Sequence, residues 1–133
     1  MKDYGLPMNT DIQILVIDDS QTTLMLMEWA LQDNGYKTLV ALSVKEALRL
    51  LETNKPNFIL LDLSMPEVSG FDFLKYVKTN IDLENTPIVV VSAFDNPETI
   101  KEVKGMGAVD FLPKPVNLKL LMEKIKIILK LNS

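Results

Sequence analysis

Residues 12–20 read Ile-Gln-Ile-Leu-Val-Ile-Asp-Asp-Ser, an apolar run that ends abruptly on two carboxylates. The pattern recurs twice. Phe58-Ile-Leu-Leu61 stops at Asp62, and Asp110-Phe-Leu-Pro113 stops at Lys114. Short runs that are apolar along their whole length read as strands buried on both faces, which parallel sheets covered by helices require. Each run then places charge where the chain leaves a core.

Segments of helical period separate the runs. Ser20 is an N-cap for a helix with Leu24, Met27 and Leu31 on one face, stopped by Gly35. A weaker strand, Lys37–Ala41, leads to the capping box Ser43-Val-Lys-Glu46 and a helix with Val44, Ala47, Leu48 and Leu51 on one side, ended by Pro56. Asn57–Leu61 is the third strand. Ser69-Gly-Phe-Asp72 is a second capping box, with Leu74 and Val77 at helical spacing behind it. Ile88–Val91 runs into Ser92, and Asn96-Pro97 pairs a cap with proline at the first helical position. Gly105 and Gly107 close that helix, Val109–Leu112 is a fifth strand, and Asn117 opens the last helix.

Strands alternating with helices predict a single α/β domain, a doubly wound sheet of five parallel strands with five helices, over residues 12–131. Residues 1–11, with Gly5 and Pro7, read as a flexible leader. Right-handed crossovers put every strand's C-terminal end on one edge of the sheet, where ligands of such folds bind. Asp18, Asp19, Asp62, Ser92 and Lys114 all fall there.

Composition narrows the chemistry. The chain has 133 residues, 47% hydrophobic and 24% charged, which is ordinary for one soluble globular domain. A net charge of −4 argues against direct nucleic-acid binding, because phosphate backbones attract basic surface. The absence of Cys removes disulfides and thiolate sites and suits a cytoplasmic protein. The absence of His excludes a Ser-His-Asp triad, a His-based zinc site and any phosphohistidine formed on this chain. No apolar run approaches the roughly 18 residues of a membrane span, and the N-terminus lacks a signal peptide's apolar centre.

With Asp18-Asp19, Asp62-Leu-Ser-Met-Pro66, Gly70, Ser92-Ala93 and Lys114-Pro115 falling in order on successive strand ends, the chain resembles the response-regulator receiver family of two-component signalling. The resemblance covers residues 12–131. It implies a flavodoxin-like strand order 2-1-3-4-5; a receiver is itself a standard example of that fold, so the order comes with the family and not from spacing. It also implies that Asp62 accepts a phosphoryl group from a histidine kinase or a His-containing phosphotransfer protein. Asp18, Asp19, Asp62 and the Ser64 carbonyl would hold Mg²⁺, Lys114 and Ser92 would bind phosphoryl oxygens, and Ser92 with Phe111 would form the switch. Ser64 and Phe94 occupy positions that modulate phosphoryl lifetime in the family, and the Lys114–Pro115 peptide is expected to be cis.

The residue types suit those roles. A carboxylate is a modest nucleophile, so transfer to Asp62 depends on positioning and charge neutralisation. Three carboxylates against one ammonium leave a net charge of about −2 in a partly desolvated cleft, which a divalent cation would cancel. Mg²⁺ takes oxygen ligands and typically only one or two protein carboxylates. The expected activity is limited to phosphotransfer and hydrolysis of the aspartyl phosphate, with a conformational change relayed through helix 4, strand 5 and helix 5 to a downstream protein or an output domain beyond this sequence.

On helix 5, Leu118, Leu121, Met122, Ile125, Ile128 and Leu129 form the core stripe. Leu120, Ile127 and Leu131 lie nearly opposite and suggest a docking surface, for a second copy or a partner. Among other classes, a Mg²⁺-dependent phosphatase of the haloacid-dehalogenase type would carry Asp-x-Asp on its first strand, where this chain has Asp18-Asp19-Ser20. A flavodoxin-like cofactor binder would want a Ser/Thr/Gly-rich loop after strand 1, and DDSQTTLM has no glycine. Nothing favours a receiver that never cycles and serves only as a binding module, since all five site positions match.

Overall fold

A computed structural model describes residues 11–63 and 69–131, with the side chain of Leu131 left out. The expected leader, apart from Asp11, and Ser64 lie outside the described residues, as does the Leu131 side chain. Among the described residues the order is β1 (Gln13–Ile17), α1 (Gln21–Asp33), β2 (Lys37–Ala41), α2 (Val44–Leu50), β3 (Phe58–Leu61), α3 (Gly70–Thr79), β4 (Ile88–Ser92), α4 (Pro97–Gly105), β5 (Asp110–Pro113) and α5 (Leu118–Leu131). All neighbouring strands are parallel, in the order β2-β1-β3-β4-β5. The expected fold is the observed one.

Side-chain alternation along the strands divides the core into two layers. Leu15, Ile17, Ile59, Leu61 and Val90 face α2, α3 and α4, meeting Val44, Ala47, Phe73, Leu74 and Val103. Ile14, Val16, Phe58, Leu60, Val89 and Val91 face α1 and α5, meeting Leu24, Met27, Leu31, Leu121, Met122 and Ile125. The periodicity thus selected the correct faces of α1 and α5.

The helix starts follow their signals, with one departure. Ser20 Oγ accepts from the Thr23 N–H, Asn96 Oδ1 from the Thr99 N–H, and Asn117 Oδ1 from the Leu120 N–H. Ser69 and Asp72 form both arms of a capping box. At α2 only the Ser43 arm forms: the Glu46 carboxylate accepts from the Leu42 N–H instead of Ser43's. A half-buried Glu with a long side chain can satisfy either of two neighbouring N–H groups, so spacing does not fix its choice.

Several boundaries also move. Helix α2 ends at Leu50, before Pro56 is reached, and β5 runs one residue later than expected. Asn57 stays outside β3, and its side chain accepts from the Gln13 N–H at 2.8 Å. Gly35, at φ +88°, makes the reversal after α1 that a side chain would strain.

Candidate functional site

Parallel register brings the strand ends level. Ile17 pairs with Leu61, Val90 with Phe111, and Ser92 with Pro113, so the residues that follow β1, β3 and β5 emerge together. Backbone bonds carry the alignment past the strands: Asp62 N–H donates to Ile17 O at 2.9 Å, Asp18 N–H to Ala41 O, and Lys114 N–H to Ser92 O, both at 3.0 Å. Among the described residues, the buried polar ones, Asp18, Asp62 and Ser92, all lie at this edge.

The side chains converge. Asp18, Asp19 and Asp62 offer carboxylate oxygens within 4.8 Å of one another; Asp18 and Asp62 are buried and Asp19 is exposed. Lys114 Nζ lies 2.8 Å from Asp18 Oδ2 and 3.7 Å from Asp62 Oδ2. The tighter pairing to Asp18 was not legible in the sequence, which placed Lys114 only in the common cleft. The Lys114–Pro115 peptide is cis, as the resemblance implied.

Asp18 is only half satisfied. Its Oδ1 accepts from the Ser20 N–H at 2.8 Å, while its Oδ2 is buried and makes no hydrogen bond of acceptable geometry. Lys114 lies close enough to offset the charge but is not aligned as a donor, so we rank the 2.8 Å contact as an ion pair alone. A buried carboxylate oxygen in that condition is costly unless a cation completes it. Three carboxylates with hard oxygen donors, one of them reaching solvent through Asp19, fit a divalent cation of the Mg²⁺ type.

Ser92 is fully buried, and its Oγ accepts the Phe94 N–H at 3.1 Å. Phe94 itself is 52% exposed above the edge. Phe111 is turned inward, 7% exposed, in the layer formed with α3 and α4. On α5, Leu120 and Ile127 are exposed, as the periodicity predicted.

Two features escaped the sequence reading. Met25, Leu26 and Trp29 are all more than half exposed on α1, a patch opposite the Leu24–Met27–Leu31 face that the same helical period could have revealed. Asp110 pairs with Lys124 at 2.6 Å across β5 and α5. Burial alone would raise the Asp110 carboxyl, but the Lys124 hydrogen bond, the Phe111 N–H and the charges of Lys124 and Lys104 together hold it below its ordinary value.

The response regulator receiver domain model matches residues 14–126. The chain belongs to the response regulator receiver family. Among curated relatives, the polar-differentiation response regulator DivK of Brucella ovis is 28% identical over 113 residues, 85% of this chain and 92% of that protein. Among solved structures, the Vibrio cholerae chemotaxis protein CheY4 is 31% identical at a TM-score of 0.83, covering 88% of this chain and 98% of that one. The receiver domain of the Francisella response regulator 1452 is 32% identical at a TM-score of 0.85, covering 92% and 99%. Membership sets aside the dehalogenase-type and cofactor-binding classes. Among the described residues, no helix is long and apolar enough to cross a membrane.

Proposed function

We propose that this receiver is a phosphorylation-activated signalling switch whose acceptor is Asp62. The observation that carries the reading is the convergence of three carboxylates within 4.8 Å of one another, two of them paired with the Lys114 ammonium. A carboxylate oxygen of Asp62 attacks phosphorus, and the P–N bond to a donor imidazole breaks, its electron pair leaving with the imidazole. This chain has no His, so the donor is a histidine kinase or a His-containing phosphotransfer protein. Bound Mg²⁺ supplies positive charge against an incoming phosphoryl dianion. Asp18, Asp19 and Asp62 hold it, with the Ser64 carbonyl as a further ligand. The protein's own chemistry is limited to this transfer and to hydrolysis of the aspartyl phosphate, whose lifetime Ser64 and Phe94 modulate.

The same geometry supplies an output route. Lys114 and the Ser92 hydroxyl bind phosphoryl oxygens, and each charge-assisted bond contributes about 1.5–3 kcal/mol. Two such bonds formed only after phosphorylation shift a two-state equilibrium by about a hundredfold or more. Drawing Ser92 Oγ toward Asp62 takes it from the Phe94 N–H, so residues 93–95 and the start of α4 must follow. Phe111, in register with Val90 on the neighbouring strand, serves as the aromatic switch, carrying the change to α4, β5 and α5. A downstream protein or output domain reads it there.

The test is incubation with acetyl phosphate and Mg²⁺. Intact mass should show one added phosphoryl group, absent from Asp62→Asn and absent in EDTA; labelling that survives either change overturns the reading. Leu120 and Ile127 form the surface for a second copy or a partner. Sedimentation of the phosphorylated protein should show association that Leu120→Glu with Ile127→Lys abolishes; a monomer at all concentrations removes the second-copy use.

A further inference from the structure

Residue 70 is glycine for a steric reason. A Cβ placed there would lie 2.4 Å from the Asp62 carbonyl oxygen, 2.8 Å from Leu63 Cα and 3.2 Å from the Asp62 carbonyl carbon. All three are backbone atoms of the acceptor and its neighbour. Real Cβ contacts do not close below 3.0 Å, so one side would have to move. Resting on the reading of Asp62 as acceptor, we propose that Gly70 is a positioning residue: the first residue of α3 acts as a backstop that fixes where Asp62 projects.

Both sides of the contact are anchored, which is why a methyl group could not be absorbed quietly. Gly70 N–H donates to Leu63 O at 3.1 Å, clamping α3 onto the end of β3. Behind it, the Ser69–Asp72 capping box and buried Phe73, Leu74 and Val77 hold α3 in place. On the other side, the Asp62 N–H bond to Ile17 ties the acceptor's backbone to β1. A shift at Asp62 is transmitted directly to its 3.7 Å separation from Lys114 and to the carboxylate cluster. Displacements near 1 Å cost on the order of a hundredfold in reaction rate, and groups that orient ligands affect metal affinity about 10–100-fold.

The experiment compares Gly70→Ala with Asp72→Ala, which removes the Asp72 arm of the capping box at the start of the same helix. Mg²⁺ is titrated against the backbone amide shifts of Asp18, Asp19 and Asp62, and acetyl phosphate labelling is timed, with rates referred to folded protein. Gly70→Ala should weaken half-saturation by Mg²⁺ at least tenfold and slow labelling about a hundredfold. Asp72→Ala should keep both within about twofold, despite a lower melting temperature. If Gly70→Ala needs help to fold, trimethylamine N-oxide is added to all samples and the same differences are expected. Wild-type affinity and rate in Gly70→Ala, or equal losses in Asp72→Ala, overturn the proposal. A wild-type protein that takes no label refutes Asp62 as acceptor, and the Mg²⁺ arm then still decides whether Gly70 sets the carboxylate geometry.

Discussion

Strand β5 begins and ends beside an ion pair, and the two pairs are built differently. At its start, Asp110 has both oxygens engaged, Oδ2 by Lys124 and Oδ1 by the Phe111 N–H, with both partners of the ion pair 27% exposed. At its end, Lys114 meets Asp18 Oδ2 at 2.8 Å without a well-directed hydrogen bond, and the Asp18 side chain is only 1% exposed. The first pair is closed and structural. The second leaves a buried oxygen incompletely satisfied and a lysine divided between two carboxylates, which suits a lysine that must change partners.

The contrast breaks most readily at Lys114. Lys114→Met, studied in EDTA, leaves Asp18 as a buried charge without its partner and should cost about 3 kcal/mol in urea unfolding. Adding Asp18→Asn should recover most of that loss. A smaller effect comes from the cation: Mg²⁺ at about ten times its dissociation constant should stabilise the wild type by roughly 1.4 kcal/mol and leave Asp18→Asn nearly unchanged. Thermal melts with and without EDTA measure the difference.

The smallest effect belongs to the closed pair. Lys124→Ala should cost about 1 kcal/mol or less, with Mg²⁺ affinity and labelling intact. Because the folded carboxyl of Asp110 titrates below its ordinary value, its stabilisation is complete above the unfolded carboxylate range and is lost as pH falls through the lowered value. The stability gap between wild type and Asp110→Asn should therefore narrow as urea melts are taken from pH 6 down to pH 3. A gap that widens in acid would contradict the assignment.

The same contrast marks what was legible in the residues. Ile14–Ile17 and Phe58–Leu61 announce doubly buried strands because both faces of each must be apolar, and a carboxylate directly after such a run can only sit at the sheet's edge. That logic delivered the α/β class and the shared edge of Asp18, Asp62, Ser92 and Lys114, while the strand order came with the family resemblance. It could not decide that Lys114 leans on Asp18 more closely than on Asp62, since a difference of 0.9 Å (3.7 less 2.8) depends on rotamers and strand offsets that periodicity does not encode. The Asp110–Lys124 pair spans 14 residues and a strand-to-helix turn, with no local spacing rule to expose it. The backstop at Gly70 was visible only as a matched letter, because its reason is a distance to Asp62.

Trp29 has a practical consequence. It is the chain's single tryptophan and stands 66% exposed on α1, on a helix whose buried side faces the other way. An indole already bathed in solvent has little spectral distance to travel when the chain denatures, so its emission should be a poor reporter of unfolding. Changed to a fluorinated analogue, the same ring would instead become a surface beacon, sensitive to whatever macromolecule settles against α1 and indifferent to events inside the core.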